Sequence, residues 1–210
     1  MIKQNLKPRP TFIQTREIIE EPRKAFAHVP HSLRNWKFID ENEPAQGVYL
    51  HIGDLHPCTL RLSLGQFAAT VLLVQLGMRA YTNANNNRKT ARYYPKFSMP
   101  AYGEAIERFT LSRFFWGASM YTAIRTKRDP HDLRFANLYA VSAGRADKNA
   151  RKVILRHAEL LATQSELEGR LPEGISADAY IENLQDFLSL LDAERAEALL
   201  ETEAVLKAAA

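Results

Sequence analysis

The sequence predicts a mainly α-helical chain with a short β element. Apolar residues at helical spacing recur in long segments after Gln66, Ser98, Asp147 and Ser176, whereas strict two-residue alternation is confined to one place. At 46% hydrophobic and 25% charged, the composition is that of a chain with a packed core rather than a disordered one. The 210 residues suffice for one large domain, or for a domain with an appendage.

Residues 1–57 read as an extended arm and a short strand. Pro8, Pro10, Pro22, Pro30 and Pro44 punctuate the arm, leaving Phe12-Ile13 and Trp36–Ile39 as the apolar pieces able to dock. Val48–Ile52 reads as a strand ahead of the turn residues Gly53-Asp54 and Pro57.

Residues 58–172 read as the core. In Thr59–Leu64, Leu60, Leu62 and Leu64 share one face and Thr59, Arg61 and Ser63 the other. Gln66–Met78 is a helix apolar nearly all round, closing at Gly77, and such a helix needs burial within this chain or against a second copy. Thr82–Arg92 reads as an exposed, Asn-rich basic loop. Ser98 caps a helix expected to reach Ile124, ended by the run up to Asp129-Pro130. A shorter segment, Leu133–Ser142, follows, and then a basic helix from Lys148 to Glu168, capped by Asp147 and stopped by Gly169. Residues 173–210 read as an acidic amphipathic tail, with one helix after Ser176 and a separate piece opening at Asp192.

Charge is segregated along the chain. Residues 1–170 carry 26 basic and 15 acidic groups, while residues 171–210 carry 2 and 9. Between Leu55 and Gly103 there is no acidic residue, against Arg61, Arg79, Arg88, Lys89, Arg92 and Lys96. A basic body of this kind points to a polyanion, and to nucleic acid in particular. The polar strand face sharpens the expectation, since Arg, Thr and Ser on a two-stranded ribbon can hydrogen-bond base edges in the major groove. A lone strand needs a partner, which the same strand of a second chain would supply. Thr59, Arg61 and Ser63, with Arg88, Lys89 and Arg92 from the loop, are therefore the expected DNA-binding residues of a homodimer. The alternative is an ordinary hairpin between Val48–Ile52 and Thr59–Leu64.

In the order of these elements the chain resembles the AcaB-like family of transcriptional regulators of conjugative plasmids and integrative conjugative elements. The resemblance rests on the Thr59–Leu64 strand with its following helix, and on Phe109, Arg113, Phe114 and Trp116. It continues through Asp129-Pro130 to the long helix closing on Pro172, Gly174 and Ser176, and so covers roughly residues 58–176. It implies a ribbon-helix-helix-like core with additional helices and a role as activator of conjugative-transfer genes. It also implies double-stranded DNA as partner, with RNA polymerase or another regulator as a further one.

Competing chemistries are thinner. His51, Asp54 and His56 are close enough in sequence to converge on a metal, and Asp129, His131 and Asp132 resemble a nuclease's acidic cluster, but turn geometry explains both sets. Glu104 and Glu107 have no partner acid, base or nucleophile in the pattern, and the nine glycines form no phosphate-cradling loop. No enzyme, cofactor or metal is expected. Phe114, Phe115, Trp116 and Tyr121 would serve an RNA-binding subunit of a ribonucleoprotein as stacking platforms, though helical spacing favours core. Cys58 stands alone, and neither a signal peptide nor a membrane span is discernible, so a cytoplasmic location is expected.

Overall fold

The computed structural model describes residues 18, 20–52, 58–84, 93–98, 108–117, 121–124, 131–141 and 150–208. Trp36–Phe38 (β1), Val48–Ile52 (β2) and Cys58–Leu62 (β3) form an antiparallel sheet in that order. Alternation decides its two faces. Phe38, Val48, Leu50, Ile52, Leu60 and Leu62 point inward and are buried. Burying each of these side chains is worth about 1.5–3 kcal/mol.

Beneath them runs the helix Leu64–Gln75 (α2), which follows the short helix Pro22–Ala25 (α1) among the described residues. Ser63 caps α2 in a reciprocal capping box with Gln66, so the polar residue expected on the strand face instead begins the helix. Gly77, at φ 98°, follows its last turn. The helix is apolar all round because one chain buries it all round, and Phe67, Ala68, Val71, Leu72 and Leu73 have no exposed surface. Its two buried polar side chains are satisfied: Gln66 Nε2 donates to the Leu133 carbonyl and Thr70 to that of Gln66. A second copy is not needed to cover this helix.

The arm is more than a linker. Phe26, Leu33 and Phe38 are buried, Phe26 lies 4.8 Å from Phe67 between ring centroids, and Trp36 enters the sheet as edge strand β1. The region expected as one helix from Ser98 to Ile124 is different in kind. Arg79–Ala84 (β4), Tyr93–Ser98 (β5) and Arg108–Thr110 (β6) make a second antiparallel sheet. Leu111–Trp116 (α3) is short, and Tyr121–Ile124 (β7) pairs with Leu138–Val141 (β8). Aromatic and β-branched residues such as Phe109-Thr110 and Tyr121-Thr122 favour strands, and Gly117, at φ 78°, interrupts the pattern.

Ala150–Leu167 (α4) and Ala177–Ala208 (α5) match the expected helices, except that α5 continues unbroken through Asp192. Tyr180, Leu184, Phe187 and Leu191 of α5 are buried in the same core cluster as Phe26, Leu60 and Phe67. Packing thus crosses both boundaries drawn at residues 57 and 172. The fold is mainly α with short β elements. No helix among the described residues is long and apolar enough to cross a membrane.

Candidate nucleic-acid interface

The outward face of the β1–β2–β3 sheet carries Lys37, Tyr49, His51, Thr59 and Arg61, the residues that alternate with the buried ones. Register turns this alternation into a row. Lys37 stands opposite Tyr49 and Tyr49 opposite Arg61, while His51 faces Thr59 in the next pair. Arg61 donates from Nη2 to the Tyr49 hydroxyl at 2.8 Å, and its guanidinium carbon lies 5.2 Å from the Tyr49 ring centroid. Lys37 Nζ is 5.7 Å from the same ring, so a single tyrosine organises two cations. Thr59 is exposed and its hydroxyl is 3.1 Å from His51 Nδ1.

The row continues past β3. The Arg61 backbone donates to the His131 carbonyl at 3.0 Å and accepts from Leu133 at 2.9 Å, a parallel bridge to Asp132. Asp132 is buried, and its carboxylate accepts from Arg134 at Nε (2.9 Å) and Nη2 (2.6 Å). Arg61 Nη1 lies 3.9 Å from the same carboxylate. The hydrogen-bonded Asp132 partner holds the Arg134 guanidinium above its ordinary pKa. One buried carboxylate therefore gathers two arginines, each about one third exposed, at the edge of a face that already carries Lys37.

These contacts revise the expected roles. β3 is not a lone strand: β2 pairs along its whole length, and residues 131–133 take the other edge at Arg61. The hairpin alternative holds, and a ribbon made by pairing β3 with its copy would have to displace one of these neighbours. Thr59 and Arg61 do share the outward face. Ser63 does not join them, since its hydroxyl donates to Glu194 of α5 at 2.6 Å. Arg88, Lys89 and Arg92 lie outside the described residues.

Lys37, Tyr49 and Arg134 were missed by sequence reasoning. Extending the hairpin register from Thr59 back to His51 would have found Tyr49 opposite Arg61. Nothing local announces Arg134, which reaches the sheet only through a tertiary bridge.

The competing sites look different in three dimensions. Phe114, Phe115 and Trp116 are buried, as core residues. Among the described residues no group of His, Cys, Asp or Glu is arranged to hold a metal ion; Asp54, His56 and Asp129 lie outside them. On α4, Arg151 is spent internally, donating to both oxygens of Asp192 at 2.8 Å and to the carbonyls of Phe114 and Phe115. The acidic helix therefore meets the basic one within the molecule. No protein-family model matches the chain, and no curated protein or solved structure is significantly similar to it.

Proposed function

We propose that this protein is a sequence-specific, double-stranded-DNA-binding regulator of transcription that meets the duplex with the outward face of its β2–β3 hairpin. The observation that carries the reading is the row Lys37–Tyr49–Arg61 with Arg134 beyond it, a cationic strip on a face with a buried apolar reverse. The hairpin takes the place of the two-chain ribbon, because two antiparallel strands fill a major groove whether or not they belong to one chain. Phosphates supply most of the affinity to such a strip, and exposed Thr59 and His51 offer hydrogen-bonding groups to base edges. The Asn-rich loop with Arg88, Lys89 and Arg92 adds phosphate contacts in this reading. The resemblance to the AcaB-like regulators supports an activator of conjugative-transfer genes, acting as a cytoplasmic homodimer alongside RNA polymerase or another regulator.

Duplex is favoured over single strand by the aromatics. Tyr49 lies beside two cations and Phe114, Phe115 and Trp116 are in the core, so these rings are poorly placed to stack on bases.

Fluorescence anisotropy with labelled duplex DNA, single-stranded DNA and RNA tests the reading. Duplex should bind tightest, with affinity falling steeply as salt rises. Lys37→Ala should weaken all duplexes about equally, whereas Thr59→Ala should reduce only the preference among sequences. Preference for single strands would move the assignment to RNA. Indifference to salt would exclude a nucleic-acid partner. Light scattering at micromolar concentration reads the number of chains.

A further inference from the structure

We propose that the groove between the start of α2 and the second half of α5 docks a basic segment of a partner protein, one that carries an apolar side chain among its lysines or arginines. This surface is separate from the proposed DNA face, and its occupation does not depend on duplex binding.

The groove encloses about 710 Å³, within the range of ligand-binding clefts. Leu64 at the start of α2, Phe135, and Leu190 and Ala198 of α5 give it an apolar lining. Leu64, Leu190 and Ala198 are half-buried, so apolar surface remains there for an incoming side chain to cover.

α5 brings the charge. Leu190, Glu194, Glu197 and Glu201 all line the groove, and their spacings of four, three and four residues set them in a row along one helix face. Earlier members of the same row, Tyr180, Asn183 and Phe187, are buried inside the chain. The stripe that α5 packs away in its first half is therefore continued by carboxylates in its second. Glu194 is fixed in place by the Ser63 hydroxyl, whereas Glu197 and Glu201 are exposed and, among the described residues, form no ion pair. Like charges at these spacings work against a helix, and cations laid along the row relieve the repulsion. Arg134 also lines the groove, but its guanidinium is held by Asp132.

Charge and apolar lining together select the occupant. Carboxylates repel phosphate, so a nucleic-acid backbone is kept out of the groove although Arg134 adjoins the proposed DNA face. A polyamine would neutralise the row but leave the apolar lining uncovered. From Glu194 to Glu201 the helix rises about 10 Å, which matches two turns of a docked helical segment or about three residues of an extended one. A short peptide with two or three cations and a leucine-sized side chain satisfies both requirements.

Fluorescence anisotropy of the full chain, without DNA, tests this with a short labelled peptide that repeats Lys-Leu-Lys-Lys-Leu. This peptide should bind. A matched peptide with serine in place of leucine should bind roughly tenfold more weakly or worse, because burial of the leucine is lost. Glu197→Gln and Glu201→Gln should each weaken the leucine peptide roughly two- to fivefold, the range of an exposed ion pair. Both positions are exposed, so neither change threatens folding. Ala198→Arg sets a cation and added bulk within the groove and should weaken binding more than either, with circular dichroism verifying its fold.

Equal binding of the two peptides would reduce the contact to surface charge and overturn the proposal. Indifference to both glutamine variants would place the peptide elsewhere and overturn it as well. Two other occupants would displace the partner protein. A wild-type assembly seen in light scattering that Ala198→Arg dissociates would assign the groove to a second copy. Binding of the peptide only after Lys3, Lys7, Arg9 and Arg16 are all changed to glutamine would assign it to the chain's own basic N-terminal segment.

Discussion

The Ser63 hydroxyl donates to Glu194 Oε2 at 2.6 Å while accepting from the Gln66 backbone N–H at 3.2 Å. A residue near the middle of α5 thus closes the N-terminus of α2, where the helix dipole favours a carboxylate. The contact joins the sheet, the buried helix and the acidic helix at one point, and it removes Ser63 from any external role.

Ser63→Ala should therefore destabilise the protein without changing its affinity for duplex DNA. Loss of the cap alone costs about 1 kcal/mol, and Glu194 loses a donor besides. Urea denaturation reads the stability and anisotropy reads the binding. A stable variant with weakened binding would return Ser63 to the interface.

Glu194 gives the protein a pH signature. Burial raises its carboxyl above the ordinary value of 4.5; the Ser63 hydroxyl pulls the other way, Glu197 pushes it up further, and the Gly65 N–H lowers it. The native chain then holds this proton to higher pH than the unfolded chain does. The contribution is most favourable below about 4.5 and is lost as pH rises through the raised native value. Thermal melting as a function of pH should show this decline on the alkaline side of 4.5. Glu194→Gln should flatten it, since the amide oxygen still accepts from Ser63 but does not titrate.

Arg151 is the cationic staple of the helical layer, with a side chain 11% exposed and bonds to Asp192 and to the Phe114 and Phe115 carbonyls of α3. Arg151→Met should cost about 2–3 kcal/mol, because hydrogen bonds to a charged group are lost and their carbonyls remain. Arg151→Lys should not rescue it, since one ammonium cannot serve both Asp192 and two carbonyls in the fixed fork geometry. Chemical denaturation of both variants checks the ranking. A fully stable lysine variant would mean that charge alone matters here.

α5 is buried along its first half, whereas Leu199 and Leu200 towards its end are exposed. Phe187 is fully buried, so Phe187→Ala should cost about 3–5 kcal/mol, and deleting residues 177–210 should abolish the native fold. Leu199 and Leu200 near the end of α5 are exposed, and replacing either by Ala should change stability by no more than about 0.5 kcal/mol. Calorimetry of these variants beside Phe187→Ala compares the two parts of the helix. A loss of several kcal/mol from either leucine variant would place the end of α5 in the core as well.

What was legible in the sequence was whatever depends on near neighbours. The alternation of Leu60, Arg61 and Leu62, the apolar stretch of α2, the glycine after it and the cap at Ser176 follow from backbone periodicity and local hydrogen bonding. Each could be placed within a few residues. The segment from Ser98 to Ile124 was misread because helical spacing and strand-favouring side chains coincide there, and pairing between β5 and β6 and between β7 and β8 decided the outcome.

Tertiary structure alone decided what covers α2. An apolar helix states that it must be buried but not by what, and residues distant in sequence, from Phe26 to Phe187, supply the cover within one chain. It likewise decided the composition of the candidate site. A strand face is written in a run of alternating residues, whereas the bridge that brings Asp132 and Arg134 beside Arg61 is a hydrogen-bonded contact between separate segments. Charge and polarity are properties of the residues. The convergence of two arginines on one carboxylate is a property of the fold, because the backbone bridge from Arg61 to residues 131–133 is what sets that carboxylate between them.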